Sequence, residues 1–254
     1  IKACRGFDVT ASHVQRMGLE HDRRMMVVMP DGGFLTQREY PRLALVTPTL
    51  KNEAVTLSAP GFDSIQVTLR KTGTPTPVNI WKSKNVETID QGHDAAKWFS
   101  DWLGLSVRLV HFADGFIRKV SAEYAIKKDD HTGFADGYPI LVISEESLQD
   151  LNSRLDSALP INRFRPNLVV KGCAPFAEDT WKRIRIGEVE MALVKPCARC
   201  VVTTIDKETL VKSKEPLKTL EKFRRHEFGA IFGMNVIPLN EGGIDVGMNV
   251  EILE

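Results

Sequence analysis

KPCARCVVTT, residues 195–204, places Cys197 and Cys200 either side of Ala198 and Arg199 and follows them with a run of β-branched residues. Valine and threonine lose rotamer freedom in a helix and pack well on a pleated surface, so CVVTTI (200–205) reads as a strand with a thiol at its mouth. A strand here sets the fold class, because a thioredoxin-like redox pair sits instead at the start of a helix, whose positive end lowers the thiol pKa.

Spacing alone leaves four readings of the pair. A structural zinc site needs four ligands, and no second C-x-x-C pair exists; His226 is the nearest downstream histidine and none follows it. A redox pair conflicts with the helix-averse run. Both cysteines could be small hydrophobes in a core strand. Alternatively one thiolate, favoured by the neighbouring Lys195 and Arg199, is a ligand to a soft metal whose other ligands come from a cofactor.

Working outward, the remaining cysteines are Cys4 and Cys173, so four in 254 residues fall far short of a disulfide framework and suit a reducing compartment. A composition of 43% hydrophobic and 26% charged residues is globular, and a formal net charge of +1 gives no global field for nucleic acid or an acidic membrane. No apolar run reaches the ~20 residues of a membrane span. The sequence opens at Ile1, which leaves an upstream anchor or address open. There is no G-x-G-x-x-G or P-loop, no H-E-x-x-H spacing among the six histidines, and no internal repeat.

The first half reads as short strands between turns: MMVVM (25–29), FLTQR (34–38), LALVTPTL (43–50), AVTLSAPGF (54–62) and SIQVTLR (64–70). HDAAKWFSDWLGL (93–105) has the apolar spacing of a helix stopped by Gly104. Periodicity is lost between about 115 and 133, which reads as a boundary or crossing loop. ILVIS (140–144) reads as a buried strand, and SEESLQDLNSRL (144–155) as a helix capped by Ser144 with Glu145 and Glu146 in its first turn. NLVV, WKRIRIG, VEMALV, CVVTTI, VIPL and VEILE read as strands, interrupted by a helix in EPLKTLEKFRRH with Pro216 in its first turn. Many short strands without a βαβ rhythm predict a mainly antiparallel, barrel-like α+β fold.

FRPNLVVKGCAPFAEDTWKRIRIGEVEMALVKPCARCVVTTID (164–206) resembles the core of MOSC-domain proteins, the molybdenum-cofactor sulfurase C-terminal family, and within it the amidoxime-reducing components and bacterial YcbX-type proteins. The likeness extends through FADGYPILVISEESLQDLNSRL (134–155) to DRRMMVV (22–28) and GGFLTQREYPRLALV (32–46). It implies an N-terminal MOSC-associated β-barrel domain over 1–114 and a MOSC β-barrel-like domain with a few flanking helices over 115–254.

The resemblance also implies a molybdenum cofactor (Mo-molybdopterin), with Cys200 as catalytic residue and metal ligand. Carried over singly, the cofactor contacts are Arg23 and Arg165, whose guanidinium forks suit phosphate and pterin carbonyls, then Lys2 and Ala3, Asp136 and Gly137, Ala198 and Arg199, and Asn235. Ala3 stands where the family has serine, Gly137 where it has threonine and Asn235 where it has tyrosine, so the first two retain only backbone contacts. Asn167 reads as a turn residue or an orienter of a cofactor-facing loop, and Asp179 and Trp181 as structural.

The implied activity is reduction of N-hydroxylated compounds (amidoximes, hydroxylamines, N-hydroxylated bases) to amines or amidines, with no pyridoxal phosphate. The alternative is a carrier of molybdenum cofactor or sulfur without turnover. The implied partners are a small N-hydroxylated substrate and a separate electron donor, a reductase or an iron-sulfur or cytochrome protein, with no nucleic acid and no membrane segment in this chain. A bacterial-type protein of this kind is expected in the cytoplasm.

Overall fold

The computed structural model describes residues 1–51 and 53–254. The fold is mainly β, with three α-helices among the described residues. The chain divides into two compact units, neither continuous in sequence. The first comprises residues 1–7, 21–118 and 133–136, and the second 8–20, 119–132 and 137–254.

In the first unit Met25–Val28 pairs antiparallel with Arg108–Phe112, which continues to Ser83–Asp90 and Pro75–Ile80. Thr47–Lys51, Ala54–Ala59 and Phe62–Thr68 form a separate meander. The helix His93–Leu103 turns Ala95, Ala96, Trp98, Phe99 and Trp102 into the core, as its apolar spacing predicts. Gly104 ends it at φ 72°, a left-handed conformation that glycine adopts without Cβ strain. Trp98 donates its indole N–H to the Asp63 carbonyl at 2.6 Å, so its ring is buried at ~1.5–3 kcal/mol of gain without stranding a polar group.

Two expected strands of this unit take other forms. FLTQR breaks after Phe34, because the Thr36 hydroxyl accepts from the Arg38 N–H at 3.1 Å and the Thr36 carbonyl from that of Tyr40 at 2.8 Å. The start of LALVTPTL lies in the 3-10 helix Pro41–Leu45, opened by a proline whose φ suits a helical first turn, and the strand begins only at Thr47–Lys51.

The second unit is organised on one sheet. Leu168–Val170 runs parallel to Ile140–Ser144, which pairs antiparallel with Gly229–Pro238; then come Val189–Ala198, Arg183–Ile186 and Val250–Ile252, with Arg225–His226 pairing the start of Gly229–Pro238. A smaller sheet joins Gly242–Asp245 to Ala11–Gln15 and Gly18–Leu19. Ser144 caps the helix Glu145–Ser153 as expected, accepting from the Ser147 N–H at 3.1 Å. Trp181 is buried among the strand side chains, and Asp179 pairs with Arg224.

Gly233 permits the close approach of two strands. It sits at φ 78°, and a Cβ there would lie 2.6 Å from both Ile143 Cγ1 and the Val142 carbonyl oxygen. Gly233→Ala is therefore expected to cost about 3 kcal/mol from backbone strain and overpacking. A thermal midpoint equal to that of the parent protein would refute this.

The run after Cys200 is the largest departure from expectation. CVVTTI is not a strand; the strand precedes the second cysteine, ending at Ala198, and Val201–Thr204 forms a 3-10 turn with Cys200 at its N-cap. The threonine hydroxyls drive the change, since Thr203 Oγ1 donates to the Cys200 carbonyl at 2.9 Å and Thr204 Oγ1 to that of Val201 at 2.8 Å. Local back-bonding of this kind outweighs β-propensity where no neighbouring strand competes for the backbone.

Candidate functional site

In the second unit, irregular pairing of Val189–Ala198 with Gly229–Pro238 prepares the cysteine turn. The register shifts between Leu193 and Lys195 and again between Pro196 and Ala198, and such bulges re-aim the residues beyond them. Asn235 sits opposite Lys195, and its amide nitrogen donates to the Lys195 and Pro196 carbonyls at 3.2 and 3.4 Å. The residue expected to touch a cofactor therefore spends this donor on the irregular backbone.

Arg199 is likewise engaged. Its guanidinium donates through Nη1 to Cys197 Sγ at 3.0 Å and through Nη2 to the Phe164 carbonyl at 2.6 Å, while its backbone N–H donates to the Ala230 carbonyl at 2.7 Å. Cys197 packs against the cluster formed by Leu141, Ile143, Phe164, Leu220 and Phe232. Its sulfur thus accepts a hydrogen bond as well as filling space.

Cys200 differs from this surround. It is half-buried and extended at φ −116°, and its sulfur makes no hydrogen bond among the described residues. All four cysteines are free thiols. Among the described residues no three His, Cys, Asp or Glu side chains gather to hold a metal. A single soft donor on an otherwise tied-down turn suits a metal centre that brings its own remaining ligands.

Arg165 is half-buried at φ 58°, and the preceding Phe164 carries the carbonyl that holds Arg199. Asn167 ties strands together: its N–H donates to the Leu141 carbonyl at 2.8 Å and its Oδ1 accepts from the Leu141 N–H at 3.1 Å. Ala198 is exposed, opposite Ile231. Gly137 is open, since an added Cβ would meet nothing within 4 Å.

The first unit gathers the other expected residues. Lys2 is buried, and its ammonium donates to Asp136 Oδ1 at 2.5 Å and to the Phe134 carbonyl at 2.9 Å, with the Phe34 and Trp81 rings 5.7 and 5.8 Å away. The Trp81 indole donates to the same carboxylate oxygen at 3.2 Å. Arg118, buried, holds the segment carrying Asp136 through the carbonyls of Gly133, Ala135 and Asp136 at 2.7–3.0 Å. Arg23 pairs with Asp22 at 3.2 Å, and its carbonyl accepts from the Phe134 N–H. Ala3 sits at φ 66° with its carbonyl bonded by Gln37.

Three cations thus influence one carboxylate. Burial pushes the Lys2 ammonium below its ordinary pKa against the pull of Asp136, and Arg23 and Arg118 add to the depression. Desolvation would raise the Asp136 carboxyl, yet the Lys2 charge and hydrogen bond, the Arg23 charge and the Trp81 N–H outweigh it and hold it far below the usual carboxylate range. Such an excess of positive charge suits an anionic group. Arg118 and Trp81 escaped the sequence reading: neither lies in a periodic element whose face could be assigned, and the carbonyls that Arg118 binds carry no side-chain signature.

The family matches identify the chain as a MOSC-domain protein. Residues 129–251 match the MOSC domain family and residues 1–106 the MOSC N-terminal beta barrel domain family. Mitochondrial amidoxime-reducing component 1 of Mus musculus is 36% identical over 274 residues, covering 100% of this chain and 79% of that protein. The Danio rerio component 1 is 38% identical over 238 residues, covering 88% and 72%. The chain belongs to this amidoxime-reducing family of MOSC-domain proteins.

Proposed function

We propose that the chain is a molybdenum-cofactor-dependent reductase of N-hydroxylated compounds, with Cys200 as the protein's thiolate to the metal. The observation that carries this reading is the Cys200 sulfur itself, a soft donor with no hydrogen bond among the described residues, on a turn whose neighbours Arg199 and Asn235 are held by protein partners. Kinship with proteins named for amidoxime reduction supplies the substrate class. The reaction is R–C(NH2)=N–OH plus two electrons and two protons giving R–C(NH2)=NH plus water; the N–O bond breaks and its oxygen leaves as water.

When bound, the cofactor supplies the two-electron centre for that cleavage. The chain's part is anchoring and charge. Cys200 holds the metal, Arg199 and Asn235 fix the turn that presents it, and Ala3, Gly137 and Ala198 contribute backbone. Lys2, Arg23 and Arg165 meet the cofactor's anionic groups, and Asp136 orients Lys2. The two electrons come from a separate protein. We place the domains at 1–114 and 115–254. Among the described residues no helix is long and apolar enough to cross a membrane. The compartment proposed is a reducing one, the cytoplasm on the bacterial-type reading, while the curated relatives are named mitochondrial.

The direct test is protein purified from cells making molybdopterin, assayed for molybdenum and for conversion of benzamidoxime to benzamidine with reduced viologen. Absence of metal, or bound cofactor passed to an apo-enzyme without turnover, would overturn the reading. Arg23→Ala and Arg165→Ala are each expected to lower molybdenum occupancy about tenfold, since a charge-assisted bond contributes ~1.5–3 kcal/mol, while the thermal midpoint holds. Unchanged metal content in both variants would sink their assignment.

A further inference from the structure

Two arginines line one cleft of the first unit. The cleft, of about 340 Å³, lies where the strand Ser83–Asp90 ends, and a volume of that size admits a small organic molecule. Its polar lining comes from three directions. Arg70, Thr72 and Thr74 belong to the loop that enters Pro75–Ile80, Thr76 stands on that strand, and Arg108 opens the strand on the other side of Ser83–Asp90. Buried Ile89 adds an apolar contact.

The two guanidiniums are spent differently. Arg108 pairs bidentately with Asp90, Nε to Oδ2 and Nη2 to Oδ1 at 2.6 Å, and Oδ1 also accepts from the Gly92 N–H at 2.7 Å. The carboxylate is thus consumed by its own framework. Arg70 is fixed at both ends instead. Its N–H donates to Gln91 Oε1 at 2.9 Å, and its carbonyl accepts from Gln91 Nε2 at 2.8 Å; that buried amide also donates to the Ile89 carbonyl at 2.9 Å. Its guanidinium lies against Gly92, where an added Cβ would come within 2.8–3.0 Å of Nη2, Cζ and Nη1. Yet among the described residues that guanidinium donates no hydrogen bond, and the hydroxyls of Thr72, Thr74 and Thr76 have no protein partner. Ordering a long cation costs entropy, so an arginine held in place with its fork unspent is arranged for an acceptor from outside the chain.

We propose that this cleft binds a phosphate monoester, with Arg70 as its principal anchor. Arg70 and Arg108 against Asp90 leave one positive charge, which selects an anion. The donors favour phosphate over carboxylate: a fork and three hydroxyls arriving from the loop and the strand beside it suit the three terminal oxygens of a tetrahedral group, whereas a planar carboxylate offers two. The remaining volume and Ile89 receive the organic part. None of these residues is a proposed cofactor contact.

The test is calorimetric titration of the full chain with ribose 5-phosphate, inorganic phosphate, succinate and ribose. The sugar phosphate is expected to bind most tightly. Arg70→Ala is expected to raise its Kd about tenfold or more, as loss of a charge-assisted bond does, with the thermal midpoint of the unliganded protein unchanged. Thr74→Val, which removes a hydroxyl and keeps the shape, is expected to weaken binding several-fold and decides the matter if the arginine variant does not fold. An affinity untouched by either change overturns the site, as does no binding at all. So does a loss in Arg23→Ala or Arg165→Ala with none in Arg70→Ala, which would assign the anion to the proposed cofactor contacts. Succinate held as tightly as the sugar phosphate would overturn the choice of phosphate, and inorganic phosphate held more tightly would overturn the ester.

Discussion

Cys200→Ser is expected to bring reduction of N-hydroxylated substrates below detection and to change the optical spectrum of the bound metal. A hydroxyl or alkoxide is a hard donor and replaces a soft thiolate poorly at molybdenum, and the turn offers no second thiol in the same position. Cys197→Ser is expected to keep most of the activity. The Arg199 guanidinium that now meets the Cys197 sulfur at 3.0 Å finds an acceptor in a serine hydroxyl too, and the smaller side chain costs ~1 kcal/mol of packing. Equal loss in the two variants would make the cysteines a working pair. Equal indifference would return both to the core and remove the main support for an enzyme.

Glu178→Ala is expected to lower stability by about 3 kcal/mol, read as a shift in the urea midpoint. Glu178 is fully buried, and its carboxylate accepts from the Ser144 N–H at 3.1 Å, from Ser144 Oγ at 2.9 Å and from Ser147 Oγ at 2.8 Å. The cluster lies at the start of the helix Glu145–Ser153, where the peptide dipoles favour negative charge. Removing the carboxylate strands the Ser144 N–H and one serine hydroxyl proton, the other keeping the 2.6 Å bond between the two hydroxyls, and this costs more than the few methylenes lost. Glu178→Gln keeps an acceptor oxygen and is expected to cost less. A midpoint unmoved by the alanine change would show that water enters and satisfies the serines.

Legibility followed the range of the forces involved. The helix His93–Leu103 and the capped helix Glu145–Ser153 were readable because their periodicity and caps are local, and the family likeness reached the cysteine turn directly. The 3-10 turn at Val201–Thr204 was hidden, since two threonine hydroxyls chose the backbone of their own turn over the sheet that their branching suggests. The cluster around Lys2 was half legible. Lys2, Arg23 and Asp136 followed from resemblance, whereas Arg118 acts through backbone carbonyls more than a dozen residues away, a contact created by tertiary folding and marked by no spacing. Arg199 and Asn235 were named from the resemblance as expected cofactor contacts, but the partners the structure gives them, a sulfur and the carbonyls of a bulged strand, exist only once the register is set.

The pairing of Ala11–Gln15 with Gly242–Asp245 governs how this protein is born on the ribosome. His13 faces Gly243 across some 230 residues of chain, so until that late strand is made the early one has only the two-residue strand Gly18–Leu19 beside it. Until then Val14, buried in the finished unit, sits on a strand with one edge open to mispairing with another nascent chain. Closing so long a loop adds little to the equilibrium cost, because the entropy grows only with the logarithm of length, but it delays the step. Slow translation therefore lengthens the exposure of a strand whose main partner lies some 230 residues further along the chain.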